Sequence, residues 1–244
     1  MAGIKVKNLS KIYKINERKI YALSDINIHV KDGSFITVVG RSGSGKTTLL
    51  RVLCGLEEKS CGEISFDMDK NKTREAKISM VFQEPRLMSW LTVEENMGFS
   101  LRREEPKVVK QIVDRQLKLL GLTEFRDAYP SQISGGMAQR VSLGRTLCYD
   151  PDVILMDEPL GALDAFTRRG LQREIEKLFV NQQKTVVFVT HDVDEAVLLG
   201  EKVVILDKGS IKRELPIELS YPRNPSKEMF FKYRQEILNT ILGD

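Results

Sequence analysis

Apolar residues follow two rhythms along this chain of 244 residues. At the start they alternate, with Ile4, Val6 and Leu9 on one side and Lys5 and Lys7 opposite, which predicts a strand. A second alternating run covers 22–30, and Lys31-Asp32-Gly33 turns the chain into Phe35-Ile36-Thr37-Val38-Val39. That run is apolar, rich in β-branched residues and free of breakers, so it predicts a short buried strand. Thr48–Leu53 has the composition of a helix start, and Gly55 and Gly62 bracket a loop. Glu63–Phe66 and Ile78–Phe82 then read as strands, the second ending at Gln83.

From about Arg86 to about Asp150 the strand patterns stop. Val109, Val113, Leu117 and Leu120 recur at helical spacing after Pro106, with Gly121 as the expected C-cap. Strands resume at Val153–Met156, Val186–Val189 and Val203–Leu206, separated by helical stretches. Strands alternating with helices predict an α/β fold with a mostly parallel sheet, into which a helical segment is inserted. The tail after Pro225 predicts an amphipathic helix with Ser226 as N-cap and Phe230, Tyr233, Ile237 and Ile241 on one stripe. The expected organisation is one domain: an α/β core with a β-subdomain at about 1–85 and 151–215, a helical subdomain at about 86–150, and a helical tail at about 216–244.

Composition narrows the class. A 41% hydrophobic and 30% charged content is that of an ordinary globular protein. No window reaches the roughly 18 apolar residues of a membrane helix. The first residues lack the apolar core of a signal peptide. The chain is therefore expected in the cytoplasm, meeting a membrane only through a partner. Three cysteines outside any C-x-x-C pattern, Cys54, Cys61 and Cys148, predict reduced and mostly buried thiols. Lys5, Lys7, Lys11, Lys14, Arg18 and Lys19 make the first segment basic, which reads as a solvated strand face rather than a nucleotide- or lipid-seeking one. No aromatic-interleaved basic patch points to nucleic acid.

Three stretches carry chemistry. Gly40-Arg41-Ser42-Gly43-Ser44-Gly45-Lys46-Thr47 has the P-loop spacing G-x-x-x-x-G-K-[ST], with a strand before it and a helix after it. Backbone N–H groups of such a loop, and the helix N-terminus behind it, receive phosphate. Lys46 is then placed for the β- and γ-phosphates, and Thr47 for magnesium. Asp157 and Glu158 end the apolar run Val153–Met156. Asp157 suits the magnesium role and Glu158 that of a base for the attacking water. Ser134-Gly135-Gly136 opens a helical run at Met137, giving either a second anion-receiving helix start or a local cap. One use for a second such start is a nucleotide bound by another copy of the chain.

With those motifs in view, the chain resembles the ATP-binding subunit of an ATP-binding-cassette transporter over nearly its whole length. Gly40–Thr47 is similar to Walker A and Val153–Glu158 to Walker B with its catalytic glutamate. Ile133-Ser134-Gly135-Gly136-Met137 resembles the signature, usually Leu-Ser-Gly-Gly-Gln. Gln83 matches the Q-loop glutamine, Gly161-Ala162-Leu163-Asp164 the D-loop, His191 the switch histidine and Tyr13 the adenine-stacking aromatic. The resemblance implies ATP contacts at Tyr13 and at 40–48, which includes Thr48, and magnesium held by Thr47, Gln83 and Asp157. Catalysis is implied for Lys46, Gln83, Glu158 and His191. Ser134, Gly135, Gly136 and Met137, with Asp164, are implied to serve the nucleotide of a second copy in a homodimer.

On the residues alone, Tyr13 either stacks on a base or packs on the sheet, and His191 either senses the γ-phosphate or sits in the core. Trp90 either lines a groove for a permease helix or belongs to the helical core. Met137, Gly161, the segment Phe82–Val93 and Tyr221-Pro222-Arg223 resemble the nitrate, sulfonate and taurine branch of importers. That branch implies transmembrane permease subunits and, indirectly, a solute-binding protein as partners. A chromosome-associated cassette would carry a long coiled coil between its motifs, and 48–151 has no sustained heptads. A ribosomal cassette would carry two fused copies, and this chain has one.

Overall fold

The computed structural model describes all residues except 1, 17, 69–73, 162, 183 and 244. In chain order, β1 (Ala2–Ile15), β2 (Arg18–Val30), β3 (Phe35–Val39), α1 (Lys46–Leu53), β4 (Cys61–Met68) and β5 (Ile78–Val81) come first. Three helices follow: α2 (Val93–Gly98), α3 (Pro106–Leu119) and α4 (Gly135–Cys148). The chain then alternates through β6 (Val153–Asp157), α5 (Ala165–Gln182), β7 (Thr185–Val189), α6 (Val193–Leu199) and β8 (Lys202–Asp207). It ends with β9 (Ser210–Pro216) and α7 (Glu228–Leu242).

Two sheets result. One is antiparallel in the order β2-β1-β4, and the other runs β5-β6-β7-β3-β8-β9, parallel except for β9. Every residue of β3, β6 and β7 is buried, as a parallel sheet covered on both faces requires. In β1 the apolar set jumps from Val6 to Leu9, which breaks a strict two-residue rhythm. A bulge absorbs the jump: Asn8 takes a φ of 50° and the register shifts between Val6 and Leu9, so both side chains stay buried. Lys5, Lys7, Lys14, Arg18 and Lys19 are exposed, the solvated face expected of them, whereas Lys11 is half-buried.

Between β5 and β6 the described residues hold helices and 3-10 turns but no strand. Pro106 opens α3 at its first turn, and Val113, Leu117 and Leu120 are buried. Gly121 stands one residue beyond the cap Leu120, at φ 64°. Its N–H bonds the Lys118 carbonyl at 3.3 Å while the Leu122 N–H bonds that of Leu117 at 2.8 Å, which closes the helix in a Schellman turn. Side chains of these helices share one apolar cluster with Phe35, Ile154, Met156 and Phe188 of the sheet. On another side, Leu49 and Leu50 of α1 join Ile36, Val38, Leu155 and Val187 with the β1–β2 sheet.

Three expectations need correcting. β9 carries no strand signal because its sequence, Ser-Ile-Lys-Arg-Glu-Leu-Pro, is mostly exposed and charged; it is an edge strand whose partner is β8 alone. The N-cap of α7 is Lys227, not Ser226. The Asn224 side chain takes the Ser226 N–H at 2.9 Å and its carbonyl takes the Lys227 N–H at 3.1 Å, so a turn holds Ser226 outside the helix. The apolar stripe is as expected, with Phe230 and Ile237 buried and Tyr233 and Ile241 half-buried.

The third correction concerns the thiols: Cys148 is buried and Cys54 half-buried, but Cys61 is exposed. Cys61 begins β4, whose residues alternate between exposed and half-buried. Burial pushes the Cys148 thiol up to about 12, so its reactive thiolate is scarce in the folded chain. Thiol labelling at mild alkaline pH should therefore modify Cys61 first and Cys54 more slowly. Cys148 should label only with unfolding, read by mass spectrometry across a urea series; labelling of Cys148 at the rate of Cys61 in native buffer would contradict its burial. No helix among the described residues is long and apolar enough to cross a membrane.

Candidate nucleotide site

The loop between β3 and α1 is tied down from both sides. A Cβ on Gly40 would lie 2.1 Å from the Leu206 carbonyl of β8, and one on Gly45 2.4 Å from the Ala22 carbonyl of β2. Gly45 also takes a φ of 101° as N-cap of α1, a conformation that side chains resist. Lys46 is buried and its Nζ donates to the carbonyls of Gly40 at 2.9 Å and Arg41 at 3.2 Å. Burial holds its pKa below the usual lysine range, against the opposing pull of Glu158 and Asp157. Ser44 Oγ is buried without a hydrogen-bond partner among the described residues. A glycine-lined turn with a cation beneath it and an unsatisfied hydroxyl inside it fits a phosphate chain.

Thr47 donates its hydroxyl to Asp157 Oδ1 at 3.1 Å. Burial raises the Asp157 pKa, and the Thr47 hydrogen bond opposes that rise. Hydroxyl and carboxylate oxygens are the donors that magnesium takes, in company with phosphate and water. Among the described residues no group of three or more His, Cys, Asp or Glu could hold a metal by itself. A cation at this point would thus rest on a bound phosphate as much as on the chain.

Beyond Asp157 the chain leaves β6 in the left-handed region at Glu158, φ 43°, while its N–H bonds the Val189 carbonyl at the end of β7. This turn brings the Glu158 carboxylate, Oε2, within 2.7 Å of His191 Nδ1. The His191 side chain is 62% exposed, so the core-histidine alternative is excluded. Tyr13, Lys46, Thr47, Thr48, Gln83, Glu158 and His191 line one cleft of about 660 Å³, together with Ser42, Gly43, Ser44 and Gly45. Arg41 instead lines a second hollow of about 350 Å³ with Lys208 and Lys212.

Ile20, Tyr21 and Ala22 also line the cleft, and sequence reasoning missed them. Ile20 stands opposite Tyr13, and Tyr21 opposite Ile12, in the β1–β2 ladder. Two large apolar residues left 48% and 57% exposed are the available signal, but only the strand register puts them beside Tyr13. The Tyr13 hydroxyl donates to Glu57, and burial followed by that bond raises its pKa. Tyr13 thus faces the cleft instead of being consumed in the sheet.

Ser134, Gly135, Gly136 and Met137 do not join this cleft. Ser134 is the N-cap of α4, and its Oγ accepts from the Met137 N–H at 3.3 Å. Gly135 is exposed with open space around it, whereas a Cβ on Gly136 would come 2.4 Å from Thr167 Cγ2 of α5. Asp164 Oδ1 accepts from the N–H groups of Phe166 at 3.0 Å and Thr167 at 3.1 Å, which caps α5. A hydrogen bond from the Thr167 side chain, followed by these backbone bonds, holds its carboxyl below the usual range. Ala162 of the same motif lies outside the described residues.

The stretch after Gln83 is pinned from behind. Gln139 donates to the Phe82 carbonyl at 3.2 Å, Arg145 to those of Pro85 and Arg86 at 3.2 and 3.0 Å, and Asn96 brackets Met88 through both its backbone groups. Trp90 is 72% exposed, so it does not belong to the helical core.

A phosphate loop, two acids and an exposed histidine at the carboxyl ends of parallel strands define a P-loop nucleotide-hydrolysing fold. The family model described as "ABC transporter" matches residues 23–161. The chain is 46% identical over 242 residues to an uncharacterised ABC transporter ATP-binding protein of Methanocaldococcus jannaschii, covering 98% of this chain and 91% of that one. It is 41% identical over 224 residues to the aliphatic sulfonates import ATP-binding protein SsuB of Bacillus subtilis, covering 91% of this chain and 88% of that one. Among solved structures it resembles the dimeric ATP-binding cassette MJ0796 in a post-hydrolysis state bound to ADP and Pi. That match has a TM-score of 0.78 and 34% identity, and covers 89% of this chain and all of the other. The chain belongs to the ABC transporter family, and it is an ATP-binding, ATP-hydrolysing subunit of that family.

Proposed function

We propose that the chain is the energy-coupling ATPase of an importer for a sulfonate or a related small solute such as nitrate or taurine. The observation that carries the reading is the split of the motifs. Lys46, Thr47, Gln83, Glu158 and His191 share one cleft, while Ser134 and Gly135 stand exposed elsewhere on the surface. An ATP molecule in the cleft touches the P-loop through its phosphates and Tyr13 through its base. The exposed α4 N-terminus of a second copy then supplies the missing wall, so two copies enclose two nucleotides. The names of the sulfonate-import relatives and the dimeric state of the solved cassettes support this.

Thr47 and Asp157, with Gln83, are the residues that would hold magnesium, which when bound offsets the charge of the β- and γ-phosphates. Glu158 accepts the proton of the attacking water, and His191, held against Glu158, contacts the γ-phosphate. The parts follow the division given by the motifs: core at about 1–85 and 151–215, helical subdomain at about 86–150 and tail at about 216–244. The subunit sits on the cytoplasmic face of the membrane through permease subunits, which work with a solute-binding protein.

Trp90 and Met88, after Gln83, form the face offered to the permease. Because Trp90 is exposed, Trp90→Ala should leave thermal stability and isolated ATPase activity nearly unchanged, within the about 0.5 kcal/mol usual at surface positions. It should nevertheless reduce the amount of chain that sediments with membranes holding the co-expressed permease. Equal sedimentation of both forms would reject the docking role, and sedimentation without any permease would reject the importer reading.

A further inference from the structure

Tyr13 is held from two directions by groups that no motif includes. Its hydroxyl donates to Oε2 of Glu57, and Lys11 Nζ stands 4.9 Å from the centre of its ring. Lys11 also donates to the Glu58 carbonyl at 2.7 Å and lies 3.8 Å from Glu57 Oε2. Glu57 is itself fixed to the helix that begins at the P-loop: its N–H bonds the Arg51 carbonyl at 3.2 Å, and its Oε1 lies 3.4 Å from the Arg51 guanidinium. One face of the ring and its hydroxyl are therefore occupied, and the ring still lines the cleft.

We propose that Glu57 is a positioning residue for nucleotide binding, which together with Lys11 locks the Tyr13 ring so that its uncovered face meets the base. The inference rests on the reading of Tyr13 as the base-stacking residue and adds what fixes it. An unrestrained tyrosine must lose side-chain freedom when a base stacks on it, whereas a ring already held at its hydroxyl and one face has lost that freedom beforehand. A hydrogen bond from a hydroxyl to a carboxylate is among the stronger ways to hold it. The same carboxylate links the base end of the cleft to the far end of the helix whose first residue is Lys46.

The test uses the full chain, with ATP and inorganic triphosphate as probes. Triphosphate engages the P-loop without a base. Glu57→Ala should raise the KM for ATP roughly 3- to 10-fold, the scale of a lost hydrogen bond, while kcat at saturation and the inhibition constant of triphosphate stay within about twofold. Tyr13→Phe, which keeps the ring and loses the hydroxyl, should raise KM similarly. The double variant should add little to Tyr13→Phe, because the bond between Tyr13 and Glu57 is already gone there. Glu57→Gln keeps an acceptor oxygen and should restore most of the affinity. If Glu57→Ala loses thermal stability, Tyr13→Phe carries the same decision.

The proposal is overturned if Glu57→Ala and Tyr13→Phe leave the KM for ATP unchanged while Tyr13→Ala raises it; base stacking then survives without the lock. It is also overturned if triphosphate inhibition weakens as much as ATP binding, since Glu57 would then act through the P-loop helix. Should Tyr13→Ala itself leave the KM for ATP unchanged, the stacking reading fails and takes the proposal with it.

Discussion

Glu158→Gln should slow ATP hydrolysis by about 10²–10⁴-fold, the usual contribution of a positioned general base. That loss raises the barrier by about 3–5 kcal/mol, at about 1.4 kcal/mol per tenfold. Glutamine fills the same space and keeps an oxygen or amide for the 2.7 Å contact with His191, so the fold and the P-loop should be unaffected. Binding of ATP should therefore persist while turnover stops. Only the difference in affinity for ATP over ADP holds two copies closed, so slowed hydrolysis should leave the ATP-bound dimer populated. Gel filtration with ATP and magnesium reads the dimer, and phosphate release reads turnover. A variant that hydrolyses within about tenfold of the parent, or elutes only as monomer, would remove Glu158 from the base role or the closed dimer from the mechanism.

Lys46→Ala should weaken ATP binding on the order of 100-fold or more, as for other buried charges that lose their ionic partner. Its ammonium is already desolvated in the free chain and is held by the Gly40 and Arg41 carbonyls, with its pKa held down by burial. Phosphate oxygens would relieve that desolvated charge, so much of the favourable energy of binding concentrates there. The same reasoning predicts a small change in thermal stability, because removing the buried cation gives up its carbonyl bonds and the pull of Glu158 and Asp157 but also removes its desolvation cost. Titration with a fluorescent ATP analogue, beside thermal denaturation, separates the two effects. Near-normal affinity in a folded variant would refute the P-loop reading.

Much of this protein is written in short-range pattern. The runs Phe35–Val39 and Val153–Met156 are apolar and β-branched, and both are fully buried parallel strands. Gly40–Thr47 is legible because its signal is local, glycines where the turn is tight and then a lysine and a hydroxyl at a helix start, although the close approach of Leu206 to Gly40 and of Ala22 to Gly45 comes from distant strands. Gly121 ends α3 for the same kind of reason, since only the last turn of a helix decides where a left-handed residue fits. The signals for these features lie within a few residues, and so the sequence by itself makes them legible.

Other features were decided by contacts between distant segments. β9 has too polar a sequence to read as a strand, and pairing with β8 alone makes it one. Whether Trp90 is core or surface depends on how much of it is covered, and it stays 72% exposed. Glu158 reaches His191 across 33 residues only because β6 and β7 lie side by side and the backbone turns left-handed at Glu158. Ile20 joins Tyr13 through cross-strand register, and Glu57 reaches the Tyr13 hydroxyl across 44 residues. Sequence pattern encodes which residue types face a core or open a turn, with periods of two or 3.6. Which faces then meet is set by the mutual packing of sheets and helices, and for this chain that packing assembles the cleft and leaves the Ser134 helix start outside it.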